Sequence, residues 1–296
     1  MNQVKILVIG SINMDLVMNV ERVPMAGETI LGHEYSYIPG GKGANQAVAA
    51  ARLNGDVTFC GRVGDDPNGE TLLRNLKDNG VDTSFIIKDN KSQTGLAAIP
   101  VESNGDNRII VFSGANSCIT KEDVDKALER SYDAVMLQLE IPLEIVYYAF
   151  EKASEKGIPV ILDAGPAVKI DLSRLKGIHV ITPNESETTA LTGIQIDNTD
   201  DAVRAAKALA DLTEASYVVI KMGDRGALLY KDGEYEVFPA YKVKAVDSTA
   251  AGDSFTAAMT LKMMQYGDIK RAIEYANAVG AICVSRKGAQ LSLPTA

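Results

Sequence analysis

Residues 4–10 (VKILVIG) carry, after Lys5, a continuous apolar run that ends in glycine, the pattern of a strand buried on both faces. Residues 43–54 switch to a helical period, with Ala44, Ala47, Val48 and Ala51 on one face. Residues 56–63 return to a strand pattern and residues 67–79 to a helical one. From Asp133 the alternation is regular. Strands are expected over 134–138, 158–163, 178–182 and 216–221, and helices over 143–156 and 202–212. Two further helices, 253–266 and 269 to about 285, finish the pattern. Repeated strand–helix units of this length predict an α/β fold: a mostly parallel central sheet with helices on both faces, Rossmann-like in its plan.

Two stretches depart from it. Residues 15–37 and 94–112 read as short strands joined by glycine turns, with no crossover helices. Such strands do not easily join a parallel sheet, so they are expected to form a small second sheet, a lid over the site. No internal repeat, low-complexity run or flexible linker divides the chain, so residues 1–296 are read as one domain carrying that lid.

Composition narrows the function. A net charge of −9 without basic clusters makes nucleic acid and anionic membrane poor partners. Cys60, Cys118 and Cys283 have neither metal spacing nor a disulfide framework, and His33 and His179 are too few for a typical zinc site or a Ser/His relay. With no signal-peptide pattern and no apolar stretch long enough to span a bilayer, the expected location is the cytoplasm.

Ligands of open parallel sheets bind beyond the carboxyl ends of the strands. The first strand runs into Gly10-Ser11-Ile12-Asn13-Met14-Asp15. The dinucleotide fingerprint is missing there, which weakens a dehydrogenase reading. Asn13 and Asp15 offer an amide and a carboxylate suited to a sugar diol, or simply a polar turn. Gly40-Gly41-Lys42-Gly43-Ala44-Asn45-Gln46 fails the Walker pattern, because Ser36 and Gly43 stand where Gly and Ser/Thr are required. Its glycines still permit close backbone approach to a ligand at a helix start, although a plain turn into a helix fits equally. Glu140 follows another buried strand. Asn184 and Glu187 in Thr182-Pro183-Asn184-Glu185-Ser186-Glu187 form a reciprocal helix cap, and the same spacing could hold magnesium through water. The strongest feature is Asp247-Ser248-Thr249-Ala250-Ala251-Gly252-Asp253, where small residues open an amphipathic helix. Their N–H groups make an anion hole of the kind phosphoryl transfer needs, with Asp253 at its edge; an ordinary aspartate cap is the alternative.

Together these segments, with Arg286-Lys287-Gly288-Ala289-Gln290, resemble the ribokinase-type carbohydrate kinase family, in the family's order and over nearly the whole chain. The resemblance implies an ATP-dependent kinase that phosphorylates the terminal O5 hydroxyl of D-ribose. It implies sugar contacts from Asn13, Asp15, Gly41, Lys42, Asn45 and Glu140. Asn184 and Glu187 would organise Mg-ATP. Lys221, Gly223, Asp224, Arg225 and Gly226, with Asn277, would line the nucleotide pocket. Ala250, Ala251, Gly252 and Asp253 would form the anion hole, with Asp253 as base. A monovalent cation, usually potassium, would take oxygens from Asp247, Thr249, Cys283, Arg286, Gly288 and Ser292. Two subunits would pair through the lids. Two departures stand out: Met14 is bulky for its place, so its side chain is expected to face away from the sugar, and relatives usually continue into a further helix after Ala296. A kinase for deoxyribose, fructose or a nucleoside is the nearest alternative. A non-catalytic sugar-binding regulator is a more distant one.

Overall fold

The structure is a computed structural model that describes residues 3–296. Strand β1 (Lys5–Ile9) sends Ile6 and Val8 to one face and Leu7 and Ile9 to the other, and all four are fully buried. A strand covered on both faces must be apolar throughout, which is why this run shows no alternation. The two faces belong to different cores. Ile6 and Val8 pack with Ala44, Ala47, Met259 and Ile273, whereas Leu7 and Ile9 pack with Val124, Val146, Ala149 and Ala206.

The chain leaves β1 for the hairpin β2 (Asn13–Val20) and β3 (Gly32–Gly40), then enters helix α1 (Lys42–Arg52) and returns beside β1 as β4 (Asp56–Gly64). Helix α2 (Pro67–Asp78) starts on Asp66, whose carboxylate accepts from Gly69 N, and leads to the edge strand β5 (Asp82–Asp89). Strands β6 (Gly95–Glu102) and β7 (Ile110–Phe112) rejoin the first hairpin. Helix α3 (Lys121–Ala127) opens with a capping box between Thr120 and Asp123.

The other half of the large sheet follows. β8 (Ala134–Leu137), α4 (Leu143–Glu155), β9 (Val160–Leu162), β10 (Val180–Ile181), α5 (Glu185–Thr192), α6 (Thr199–Thr213) and β11 (Tyr217–Lys221) build it outward. The hairpin β12 (Ala227–Lys231) and β13 (Glu234–Phe238) turns at Asp232-Gly233, both at positive φ (51° and 84°), and forms an antiparallel edge. Helices α7 (Ala251–Tyr266), α8 (Ile269–Val284) and the short α9 (Ala289–Ser292) complete the cover. Among the described residues no helix is long and apolar enough to cross a membrane.

The large sheet has the order β13-β12-β11-β10-β9-β8-β1-β4-β5. From β1 the chain adds strands on one side as far as β5, then crosses to β8 and builds the other side. The strand order therefore reverses between β1 and β8, and a crevice opens there beyond the carboxyl ends. The second sheet, ordered β3-β2-β6-β7, is separate from the large one and starts at the exit of β1, beside this crevice. It is mixed, since β2 pairs parallel with β6 and antiparallel with β3. Alternation along β2 puts Asn13 and Asp15 on one face and Met14 on the other, where Met14 is buried in the core. The expected turning of Met14 away from Asn13 and Asp15 is thus a consequence of the pleat.

Candidate functional site

The start of α1 lies directly on the exit of β1. A Cβ on Gly43 would stand 2.7 Å from Ser11 N, and one on Gly41, at φ +89°, would stand 2.7 Å from Asn13 N. No other residue permits this approach. It places Lys42 N 3.1 Å from Glu140 Oε2, which also accepts from Ser11 Oγ at 2.5 Å. Glu140 at the end of β8 and Lys42 at the start of α1 are thereby joined across the switch point.

Asn13 and Asp15 rise from this corner into the second sheet. Asp15 lies so close to Gly40 that a Cβ there would be 2.1 Å from Asp15 Oδ2. Burial pushes the Asp15 carboxyl up from its ordinary value of 3.8 to about 7, with Glu140 and Asp253 adding to the rise. Asn13 is nearly buried and its Oδ1 accepts from Asn116 Nδ2 at 2.7 Å.

Asp253 is buried in the first turn of α7. Its carboxylate accepts from Asn45 Nδ2 at 2.9 Å and from Gln46 Nε2 at 3.2 Å. Gln46 also donates to Asp163 at 2.8 Å, and Lys221 Nζ approaches the other Asp163 oxygen at 2.8 Å. Thr256 Oγ1 donates to Asp163 at 3.3 Å. Burial drives the Asp253 carboxyl upward; Lys42 counters this, Asp163 reinforces it, and the Asn45 and Gln46 amides favour the ionised form. Burial alone would lower Lys42, but Asp253, Asp163, Glu187 and Glu140 more than offset it and hold the ammonium charged.

The helix start beneath Asp253 is shaped for an anion. Ala250 is at φ +60°, which turns the chain sharply into α7. Ala251 N bonds Ser248 O and Ser254 N bonds Ala250 O, while Gly252 N and Asp253 N have no acceptor among the described residues. Those N–H groups carry the positive end of the helix dipole. They open on a cleft of about 530 Å³ whose walls include Lys42, Asn184, Glu187, Lys221, Gly223 and Gly252. A space of that size suits a small-molecule ligand.

The other expected nucleotide residues do different things. Arg225 pairs with Glu185 at the rim of the cleft. Asp224 sits with it in a short 3-10 turn. Gly226, at φ +94°, lets β12 approach β13, since a Cβ would be 2.0 Å from Phe238 O. Asn277 Nδ2 is spent on Phe238 O (3.1 Å) and Pro239 O (3.2 Å), so its role in the structure is to tie α8 to the segment after β13.

Two arrangements could hold a cation. Glu187 Oε2 accepts from Asn184 N at 2.7 Å, and its Oε1 faces Lys42 Nζ at 3.8 Å across the cleft. That leaves lone pairs for a hydrated magnesium. Beside α7, Asp247 accepts from Thr249 N (2.9 Å), Thr249 Oγ1 (2.6 Å) and Gly288 N (2.9 Å). The Cys283 thiol is 3.7 Å from Thr249 O and 2.9 Å from Ser292 Oγ, and Arg286 N bonds Cys283 O at 3.1 Å. The Asp247 carboxylate is already engaged by these donors, so a monovalent ion here would have to draw on the second lone pairs of main-chain carbonyls such as Thr249 O and Cys283 O.

The sequence motifs left out Ser11, Gln46, Asp163 and Asn116 as site residues. Asp163 and Ser11 each follow a strand end and could have been found by position. Asn116 follows the second sheet and carries no such signal.

The strand-reversal crevice thus holds a buried aspartate at a helix start and a lysine flanked by glycines. Residues 3–296 match the model of the pfkB family carbohydrate kinases. The chain belongs to that family. This kinase is 40% identical to a ribokinase of Bacillus subtilis over 98% of its own length and 96% of the relative's. It is 38% identical to a deoxyribokinase of Salmonella typhi, covering 98% and 95%. It spans about half (54%) of a bifunctional ribokinase/ribose-5-phosphate isomerase A of Fructilactobacillus sanfranciscensis, at 37% identity. Among solved structures, Arabidopsis thaliana ribokinase complexed with ribose and ATP superposes with a TM-score of 0.92 at 32% identity, covering 99% of this kinase and 96% of that chain.

The Asp15 carboxyl keeps its proton to about pH 7 in the folded kinase, against 3.8 for an ordinary aspartate. The folded chain therefore binds more protons between those values, and stability falls as pH rises through that window. Asp15→Asn removes the buried charge. Its melting temperature is expected to exceed the wild type's at pH 8, with the gap closing toward pH 4, as read by thermal unfolding across pH. Parallel curves for the two proteins would contradict this reading of Asp15.

Proposed function

We propose that this kinase transfers the γ-phosphoryl group of ATP to O5 of D-ribose, giving D-ribose 5-phosphate and ADP, with Asp253 as general base. The observation that carries the reading is the position of Asp253. It is buried, held by two amide donors, and set at a helix start whose free N–H groups face the same cleft as Lys42 and Lys221.

In this reading Asn13, Asp15, Gly41, Lys42, Asn45 and Glu140 hold the sugar. Asp15 accepts from two neighbouring hydroxyls, and a site built to pair a hydroxyl discriminates strongly against an analogue without it. Asn184, Lys221 and Gly223 line the phosphate end of the nucleotide. Asp224, Arg225, Gly226 and Asn277 shape the region behind it. Magnesium, held through water by Glu187, would neutralise the phosphates. Potassium, on the carbonyls around Asp247, Thr249, Cys283, Arg286, Gly288 and Ser292, would steady the loop that leads into α7. Asp253 takes the proton of O5 as it attacks, and the free N–H groups of Gly252 and Asp253, at the helix start opened by Ala250 and Ala251, receive the charge on the transferred group. Because the transition state is loose, positioning and charge stabilisation matter most and deprotonation can come late.

The second sheet supports a dimer. Its face away from Asp15 carries Leu16, Met18, Tyr35, Tyr37, Ile110 and Phe112, and Tyr35 and Phe112 remain 68% and 56% exposed. An apolar face of this kind marks an interaction surface. We propose that a second copy covers it, and that each sheet is a lid over its own site. Light scattering should give twice the chain mass, falling to one chain for Tyr35→Asp. A wild-type protein that runs as one chain at micromolar concentration contradicts the pairing.

The similarity to both a ribokinase and a deoxyribokinase makes the sugar the point to test. Coupled turnover should be measured with ribose, 2-deoxyribose, fructose and adenosine, each with and without potassium. Preference for ribose with activation by potassium is expected. Preference for 2-deoxyribose would overturn the diol role of Asp15 while keeping the kinase chemistry. Absence of turnover with all four would favour a sugar-binding regulator.

A further inference from the structure

Asn116 lies in the 3-10 turn Gly114–Cys118, just after the last strand of the second sheet, and is 1% exposed. Every hydrogen-bonding atom of its amide is used. Its Oδ1 accepts from Ile12 N at 2.9 Å, and its Nδ2 donates to Ile12 O at 3.1 Å and to Asn13 Oδ1 at 2.7 Å. The first two bonds imitate a neighbouring strand and fix the main chain where β1 gives way to β2. The third fixes a side chain. Because the Asn13 oxygen receives this N–H, the Asn13 Nδ2 group is the part left to donate into the site.

A second element is fitted to this pair. Gly95, the first residue of β6, is the register partner of Asn13. A Cβ on Gly95 would lie 2.3 Å from both Asn116 Nδ2 and Asn13 Oδ1. The bases of β2 and β6 and the chain leaving β7 therefore meet at one buried amide pair.

We infer that Asn116 is a positioning residue for the sugar, which sets the Asn13 amide with its N–H pair toward a sugar hydroxyl and locks that choice to the base of the second sheet. This rests on the proposed role of Asn13 in holding the sugar. It makes Asn116 a determinant of sugar affinity although it does not touch the sugar itself.

The test is a double-mutant cycle in the full-length kinase, with D-ribose, 2-deoxy-D-ribose and ATP as probes. Asn116→Asp keeps size and the acceptor for Ile12 N, but it loses both donors and sets a carboxylate against Asn13 Oδ1. Asn116→Asp and Asn13→Ala should each raise the KM of the preferred sugar about tenfold or more, as expected for a misplaced buried polar partner. The KM for ATP should stay within about twofold, and Asn116→Asp should add less than about twofold in the Asn13→Ala background. If Asn13→Ala leaves the sugar KM unchanged, the sugar-site reading fails and takes the inference with it. If Asn13→Ala acts but Asn116→Asp does not, or if their effects add in full, Asn116 does not work through Asn13 and the inference alone is overturned. Should Asn116→Asp fail to fold, Gly95→Ala, which drives a methyl into the same pair from β6, carries the same comparison. Loss of the fold in both would show the pair to be structural only and would also overturn it.

Discussion

Like charge crowded at one end of the sheet is the constraint on which the rest of the site depends. Asp15, Glu140, Asp163, Glu187 and Asp253 converge beyond the carboxyl ends of the central strands, partly or fully buried. Carboxylates so placed cannot all stay ionised unless cations stand among them. Lys221, 2.8 Å from Asp163, and Lys42, which faces four of the five, supply that charge. Lys42 reaches its place only because Gly41 and Gly43 let α1 press against the exit of β1. A backbone property of two glycines thus decides whether the acidic cluster can form.

The neutral donors divide the remaining work. Asn45 and Gln46 point N–H groups at Asp253, and Gln46 spans Asp253 and Asp163 with one amide nitrogen. Gln138 Nε2 in turn donates to Gln46 Oε1 at 2.7 Å, and Gln290 Nε2 donates to Asn45 Oδ1 at 3.2 Å. Amides orient a buried carboxylate without adding to or cancelling its charge, so Asp253 can stay basic while Lys42 and the helix start remain available to an incoming phosphoryl group. Buried networks of this kind are rigid when every member is partnered; here Gln138 Oε1 is the one buried acceptor left without a partner among the described residues of the network.

Much of this was legible in the sequence. The apolar runs gave β1, β4, β8, β9 and β11 within a few residues, because covered strands have no other way to be stable. The two irregular stretches became the second sheet. Less legible were α3, the edge strand β5, which is only partly buried, and the hairpin β12–β13. The hairpin did carry a turn signal, Asp232-Gly233. Motif reading singled out Asp253 and Asn45 because each sits at a helix start beside glycine or small residues, whereas Lys42 entered only through the family resemblance. Asn116 and the Asp163–Gln46 link were not readable from motifs: their significance lies in partners over 100 residues away, and a lone Asn or Asp at a strand end or turn looks the same whether or not it meets one.

The central claim is that Asp253 performs the proton transfer while its surroundings bind. It is tested most directly by Asp253→Asn, with single-turnover phosphoryl transfer measured alongside calorimetric titration of the sugar. Fold and sugar binding should persist while turnover falls by about 10²–10⁴-fold, the usual contribution of general-base catalysis. Near-normal turnover in a correctly folded variant would contradict the assignment of Asp253 as the base.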